Sequence, residues 1–329
     1  MSFLQKAVLG ICLILLALFP NNCPGKTLTE VFKEVHAKAL HGDPVGQLNL
    51  GFMYLTGKGT DKNAKEALYW FQKSAAQGNP EAQTYLQWMY RWCSGIPSNP
   101  AESEKWGKLA FEQFKKTAEA GNAWAQFNLG FAYEFGDGVS EDDQEGIKWL
   151  RKAAEQGLAH AENAIGVDYD MGRGVKEDPK EAFEWFKKAA DQGLAIDQFY
   201  LGLSYLEGKS VKQDAVESVR WFRRAAEQGE VFSPKHVGAA FLEGKGVKKD
   251  PIEALAWFFV GRTLQDGEVP GFESSDCIKK LEPTLSAQEI KTAKQRSEEI
   301  LKLIELNVAA RVETPHSFAT GTGLDWTSD

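Results

Sequence analysis

Residues 172–208 contain two short stretches in which apolar positions recur every three or four residues. That spacing places the apolar side chains on one face of an amphipathic α-helix. The second stretch continues the pattern through Leu201, Gly202 and Tyr205. Two short helices with one apolar face each cannot bury that face alone, so neighbouring helices must cover it. The apolar positions of the first stretch are Ala182, Trp185, Phe186, Ala189 and Ala190.

Start and stop signals bound both stretches. Asp178-Pro179 predicts a helix start, because Asp accepts hydrogen bonds from free N–H groups there and Pro suits the first helical position. Gly193 and Gly208 predict the two helix ends, because glycine tolerates the left-handed conformation that often terminates a helix. The segment is therefore predicted to be a helical hairpin.

This hairpin recurs with a period of 36 residues. Four sets of equivalent positions, called columns here, carry the same or similar residue types from one copy to the next. A fixed period of about 20–50 residues with helix-turn-helix content predicts an all-α solenoid. The repeating columns are Trp149, Trp185, Trp221 and Trp257; Gly121, Gly157, Gly193 and Gly229; Tyr54, Tyr90, Tyr133, Tyr169, Tyr205 and then Phe241; and Asn63, Asp142, Asp178, Asp214 and Asp250.

The segments LGLSYLEGKSV at 201–211 and DAVESVRWFRRAAEQG at 214–229 resemble Sel1-like repeats, which are related to the tetratricopeptide repeat. The resemblance covers residues 28 to 264, and we place the repeat domain at 26–264. It implies a right-handed superhelix of about six helix pairs whose concave face binds other proteins. It also implies bacterial envelope assembly or host-cell interaction as the setting.

Residues 1–25 are predicted to be a signal peptide. Lys6 is followed by the uncharged run Ala7–Phe19, which has the length of a secretory apolar region and is short for a membrane span. An uncleaved anchor and a lipoprotein attached at Cys23 are the alternatives. The mature chain is therefore expected in the periplasm or outside the cell, without a membrane span.

The composition of the chain limits the kinds of molecule it is expected to bind. The chain has 329 residues and a formal net charge of −8, which disfavours nucleic acid. Its four cysteines do not form the framework of a small disulfide-stapled domain. We expect a protein or peptide partner; the oligomeric state is left open.

The unit between Gly78 and Gly121 is longer than the others, at 43 residues. Asn99-Pro100 stands seven residues before the usual helix start. Seven residues are close to two helical turns, so the insertion predicts one long helix from Ala101 to about Ala120 whose end projects from the stack.

Aromatic residues are concentrated in this long unit. Trp88 and Tyr90 fall in apolar columns and are predicted to be core. Trp92 and Trp124 fall in mixed columns and are candidates for an exposed binding patch. The alternative is that these aromatics pack on the extra helical turns.

Two columns on the first helix of each pair vary in residue type, and a spacing of four places them on one stripe. We predict partner contact there, with plain solvent exposure as the alternative. Asp197 occupies a packing position and indicates a kink or a buried pair. The columns are Asn49, Tyr85, Asn128, Ala164, Tyr200 and His236, and Met53, Met89, Ala132, Asp168, Ser204 and Ala240; the predicted partner-binding residues are Tyr85, Met89, Trp92, Trp124, Asn128 and Tyr200.

The repeat pattern fades after Trp257. Residues 265–308 are predicted to cap the solenoid, with a capping box at Ser286–Glu289 and an amphipathic helix to about Leu306. Residues 309–329 are predicted to be a mobile tail. Residues 317–329 show a short resemblance to the opening strand of a bacterial trypsin-like protease domain, too short to carry any catalytic residue.

No catalytic, cofactor or metal site is predicted. The histidines lack metal-ligand spacing, and no nucleophile elbow occurs. Asp137, Glu141, Asp142 and Asp143 form an acidic loop without the calcium pattern, which helix capping and solvation explain. The predicted function is an exported, non-catalytic adaptor. The alternatives are a hydrolase acting on cell wall or β-lactams, and a carbohydrate-binding envelope component that stacks sugars on Trp92 and Trp124.

Overall fold

The computed structural model describes residues 28–93, 95–264 and 274–312. The predicted signal peptide and the segment from 313 onward lie outside these ranges. Within them the chain is helical, with no strand. No helix there is long and apolar enough to cross a membrane. The helices are α1 (Leu28–Leu40), α2 (Pro44–Thr56), α3 (Ala64–Ala76), α4 (Pro80–Trp92), α5 (Pro100–Glu119), α6 (Ala123–Phe135), α7 (Asp143–Glu155), α8 (Ala159–Met171), α9 (Pro179–Asp191), α10 (Ala195–Glu207), α11 (Ala215–Ala226), α12 (Ser233–Glu243), α13 (Pro251–Leu264), α14 (Ser274–Leu281) and α15 (Ala287–Val312).

The helices fall into two compact units. The first reaches Gln156 and contains α1 and the hairpins α2–α3, α4–α5 and α6–α7. The second spans Gly157–Val308 and contains the hairpins α8–α9, α10–α11 and α12–α13, followed by α14 and by α15 as far as Val308. Within each unit, the second helix of one hairpin packs on the first helix of the next. The predicted all-α class with helices in adjacent pairs is confirmed.

The predicted start and stop signals act as expected. A side-chain oxygen of Asp178 accepts hydrogen bonds from the backbone N–H groups of Lys180 and Glu181 at 3.0 and 3.2 Å, which caps α9. Gly208 ends α10 with φ of +73°. The start of α9 and the end of α10 are therefore set by residues directly beside them in the chain.

One contact recurs inside the hairpins and explains why the units keep both a glycine and a phenylalanine. A Cβ placed on Gly202 of α10 would lie 2.6 Å from a ring carbon of Phe222 on α11. Only glycine lets the two helices approach this closely, and the ring is buried as a result (2% exposed). The same contact joins Gly51 to Phe71, Gly166 to Phe186 and Gly238 to Phe258.

The long helix of the irregular unit is α5, and its predicted length is confirmed. The prediction that its end projects is wrong, since Ala118 near its C-terminal end is buried. Ser103 near its N-terminal end donates a hydrogen bond to the Gln87 carbonyl of α4 at 2.9 Å. A Cβ on Gly138 would lie 2.2 Å from the Gly107 carbonyl oxygen, so the loop after α6 lies directly against the first turns of α5. These turns form part of the first unit's packing.

The last helix, α15, begins at the predicted capping box. The Ser286 N–H donates to the Glu289 carboxylate at 2.8 Å, and the Glu289 N–H donates to the Ser286 hydroxyl at 3.3 Å. Ile300 and Ile304 are buried in one cluster with Phe258 of α13. The helix continues to Val312, beyond the predicted end near Leu306.

Candidate partner-binding surface

Most of one variable column is buried, which leaves Met89 almost no surface for the partner contact predicted there. Met89 is 2% exposed and packs with Leu86 and Phe71 in the core of the first unit. Met53 and Asp168 in the same column are also buried, whereas Ser204 is not. Variation in residue type therefore did not indicate exposure at Met89.

The residues of the second variable column differ in how exposed they are. The Tyr85 ring is half-buried and stacks on Phe71 with centroids 4.7 Å apart. Asn128 is half-buried, and its amide donates to the Trp124 carbonyl one turn earlier at 2.9 Å. Tyr200 is 45% exposed and is the most accessible of the residues in this column. Packing therefore covers part of the predicted stripe on these first helices.

The two tryptophans proposed for a binding patch differ in solvent exposure. Trp92, at the end of α4, is 45% exposed, and the Arg91 guanidinium lies 4.9 Å from its ring centroid. Trp124 on α6 is half-buried, with its ring edge-to-face with Phe127 at 5.6 Å. Trp92 therefore offers the larger aromatic surface, a difference that the sequence did not predict because both residues fall in mixed columns.

Asp137 is a structural residue that the sequence interpretation missed, because it stands in a loop that resembles a solvated acidic turn. Its carboxylate accepts hydrogen bonds from Gln87 at 2.6 Å, Trp88 at 3.2 Å and Arg91 at 3.4 Å, all on α4. Burial raises the pKa of Asp137, and the bonds from Trp88, Arg91 and Gln87 oppose that rise. Asp142 of the same loop does cap α7, as predicted.

A cavity of about 680 Å³ lies where α4, the first turns of α5 and the loop after α6 meet. Two cations line it, Arg91 and Lys108, together with the carboxylate of Glu104. Lys108 pairs with Glu104 across one turn of α5, and both side chains are more than 60% exposed. An exposed pair of this kind contributes little to stability, so its two side chains can separate readily. The remaining lining residues are Gln87, Ser98, Pro100, Ser103, Gly136, Gly138, Val139 and Ser140.

In the second unit, Asp197 forms the buried pair that its position indicated. Asn163 of α8 donates to one carboxylate oxygen at 2.8 Å, and the other oxygen accepts no hydrogen bond from the described residues. Asp197 is 0% exposed, and burial raises its pKa to about 7. Burial also raises the pKa of Tyr200, and the charge of Asp197 adds to that rise. The described residues contain no cluster of three or more His, Cys, Asp or Glu side chains able to hold a metal ion.

Successive helical hairpins with one recurring interhelical contact define an α/α repeat protein. The Sel1 repeat family model matches residues 44–79, 125–158, 159–194, 195–230 and 236–259, just over half of the chain. The chain therefore belongs to the Sel1 repeat family. The matches omit α4 and nearly all of the irregular unit, where the insertion interrupts the period.

A solved structure agrees with this assignment. A protective antigen present in uropathogenic Escherichia coli strains, described as displaying an SLR fold, is 31% identical with a TM-score of 0.54. The match covers 87% of this chain and 59% of that protein, so this chain spans about three fifths of its length. A Sel1 repeat protein from Oxalobacter formigenes is 29% identical, with 81% and 84% of the two chains covered and a TM-score of 0.49. No curated protein matches the sequence significantly.

Proposed function

We propose that the chain is an exported, non-catalytic scaffold that binds a protein or peptide partner through the first helices of its hairpins. Sel1 repeat proteins are typically protein-interaction scaffolds. The observation that carries the proposal is the exposure of Trp92 on α4 and Tyr200 on α10, each 45% exposed at a position predicted for contact. Exposed aromatic side chains supply much of the binding energy in protein interfaces.

Site-specific photocrosslinking tests the contact surface. A photoreactive phenylalanine replaces Trp92 or Tyr200 in turn, and Tyr69 serves as the matched control because it is 47% exposed on α3, the second helix of its hairpin. We expect a discrete protein or peptide to crosslink at Trp92 and at Tyr200. Equal crosslinking at Tyr69, or no discrete product at either first-helix position, would contradict the proposal.

Export is supported by the apolar run Ala7–Phe19 after Lys6. In a bacterial host, we expect the full chain to accumulate in the periplasm or medium, shortened at its N-terminus. The chain lacking residues 1–25 should remain in the cytoplasm. Mass spectrometry of fractionated cells measures both, and an uncut chain in the cytoplasm would refute export.

A further inference from the structure

The cavity of the first unit lies between α4, the start of α5 and the loop after α6. Ser103, Glu104 and Lys108 lie in the first turns of α5. The Gly138 contact with Gly107 fixes the loop against these turns, and Asp137 fixes the loop to α4. The walls are therefore held on three sides, and the volume of about 680 Å³ is that of a small-ligand or side-chain pocket.

The polar chemistry of this cavity suits a carboxylate. Arg91 uses one N–H on Asp137 and has five, so donors remain for a ligand. Its guanidinium is held between Asp137 and the Trp92 ring, which presets its orientation. Lys108 approaches from α5 with three N–H donors, one of them on Glu104. Ser98 and Ser140 also line the cavity, while the Ser103 hydroxyl donates to the Gln87 carbonyl.

We propose that this cavity binds an acidic segment of a partner polypeptide, with one side-chain carboxylate held by Arg91 and Lys108 and an adjacent apolar side chain covering Trp92. The inference rests on the proposed scaffold function and names the chemistry of its ligand. A planar guanidinium binds a carboxylate in two parallel hydrogen bonds, and the exposed Trp92 ring beside it offers apolar contact area. The incoming carboxylate replaces Glu104 on Lys108.

The test uses two blocked tripeptides, acetylated and C-terminally amidated, with the sequences Glu-Leu-Glu and Gln-Leu-Gln. Titration into the full mature chain is followed by the NMR signals of the Arg91 Nε–H and the Trp92 indole N–H. We expect both signals to shift saturably with Glu-Leu-Glu, and Gln-Leu-Gln to bind about tenfold more weakly or not at all. Added salt should weaken the Glu-Leu-Glu affinity.

Three variants test whether Glu-Leu-Glu binds in the cavity. Arg91→Gln should weaken Glu-Leu-Glu binding about tenfold, and Lys108→Gln several-fold. Because Arg91 also contacts Asp137, Lys108→Gln is the cleaner variant, since Lys108 makes only an exposed ion pair. Lys116→Gln is the matched control, because Lys116 is an exposed lysine further along α5 and outside the cavity lining; its affinity should equal that of the unaltered chain.

Several results would overturn the inference. These are no saturable shift with Glu-Leu-Glu, equal binding of Gln-Leu-Gln, or unchanged affinity in either Arg91→Gln or Lys108→Gln. Equal affinity for inorganic phosphate would show a plain anion site, and binding of Gln-Leu-Gln only with a free C-terminus would show recognition of a chain end. Crosslinking at Tyr200 that persists while Glu-Leu-Glu fails to bind would leave the scaffold proposal standing and remove this inference alone.

Discussion

Asp197 offers a direct test of how burial shapes the stability of the second unit. The carboxyl group is fully buried, has one hydrogen bond from Asn163 and lies near the charge of Glu162. Burial, the largest cause, raises its pKa to about 7. In the unfolded chain an Asp titrates near about 3.9, so between these values the native state holds a proton that the unfolded state has lost.

The sign and size of the effect follow from proton linkage. Because the native state binds more protons, the free energy of unfolding falls as pH rises, and the loss is complete above the folded pKa of about 7. Between pH 5 and pH 8, Asp197 should lower that free energy by about 3 kcal/mol. Glu162 and Glu230, whose pKa values burial also raises, act in the same direction.

The variant Asp197→Asn removes this titration. Its amide oxygen still accepts the Asn163 bond, while its NH₂ group is buried in place of a carboxylate oxygen, at a cost of about 1–3 kcal/mol that does not depend on pH. Urea unfolding followed by circular dichroism at pH 5 and pH 8 measures the difference. We expect the loss of stability across this range to be about 3 kcal/mol smaller in the variant.

Asp191→Asn is the matched control, because Asp191 is an exposed carboxylate at the end of α9 in the same unit. It should lose as much stability across the range as the unaltered chain. The reasoning is refuted if Asp197→Asn also keeps the full loss, since Asp197 would then ionise in the folded state without a cost.

Three further substitutions probe the loops. Gly246→Ala should lower the free energy of unfolding by about 2 kcal/mol or more in urea titrations, because its Cβ would lie 2.1 Å from the Ala215 carbonyl oxygen. Ser210→Gly should raise it by up to about 1 kcal/mol, because Ser210 holds φ of +65°, which disfavours any side chain; no gain in the urea midpoint would contradict this. Asp137→Ala should cost about 1–3 kcal/mol by leaving buried donors such as the Trp88 indole without an acceptor, and an unchanged unfolding midpoint and tryptophan emission would refute that role.

The helices and their ends were predictable because their signals lie close together in the chain. Asp178 caps the helix that starts at the next residue, and Gly208 ends the helix that precedes it. The length of α5 was predictable for the same reason, since Asn99-Pro100 marks its start directly. These are short-range effects, and a single sequence carries them in full.

The candidate surface was predicted less well. Met89 and Trp92 stand three residues apart on α4, and both lie in columns of variable residue type, but one is 2% and the other 45% exposed. Which of them is covered depends on side chains such as Phe71 that come from a different helix. Variation along a column does not distinguish a surface position from a core position whose neighbours change with it.

The order of residues alone determined that this protein is a chain of helical hairpins, because caps, glycines and apolar spacing act within one unit. Only the tertiary structure decided where polar groups meet, because the Asp137–Gln87 contact joins residues 50 positions apart and the Asp197–Asn163 contact joins residues 34 apart. Contacts at such separations depend on how closely whole helices approach. No local pattern encodes that distance, so the cavity beside Arg91 emerged only from the packed chain.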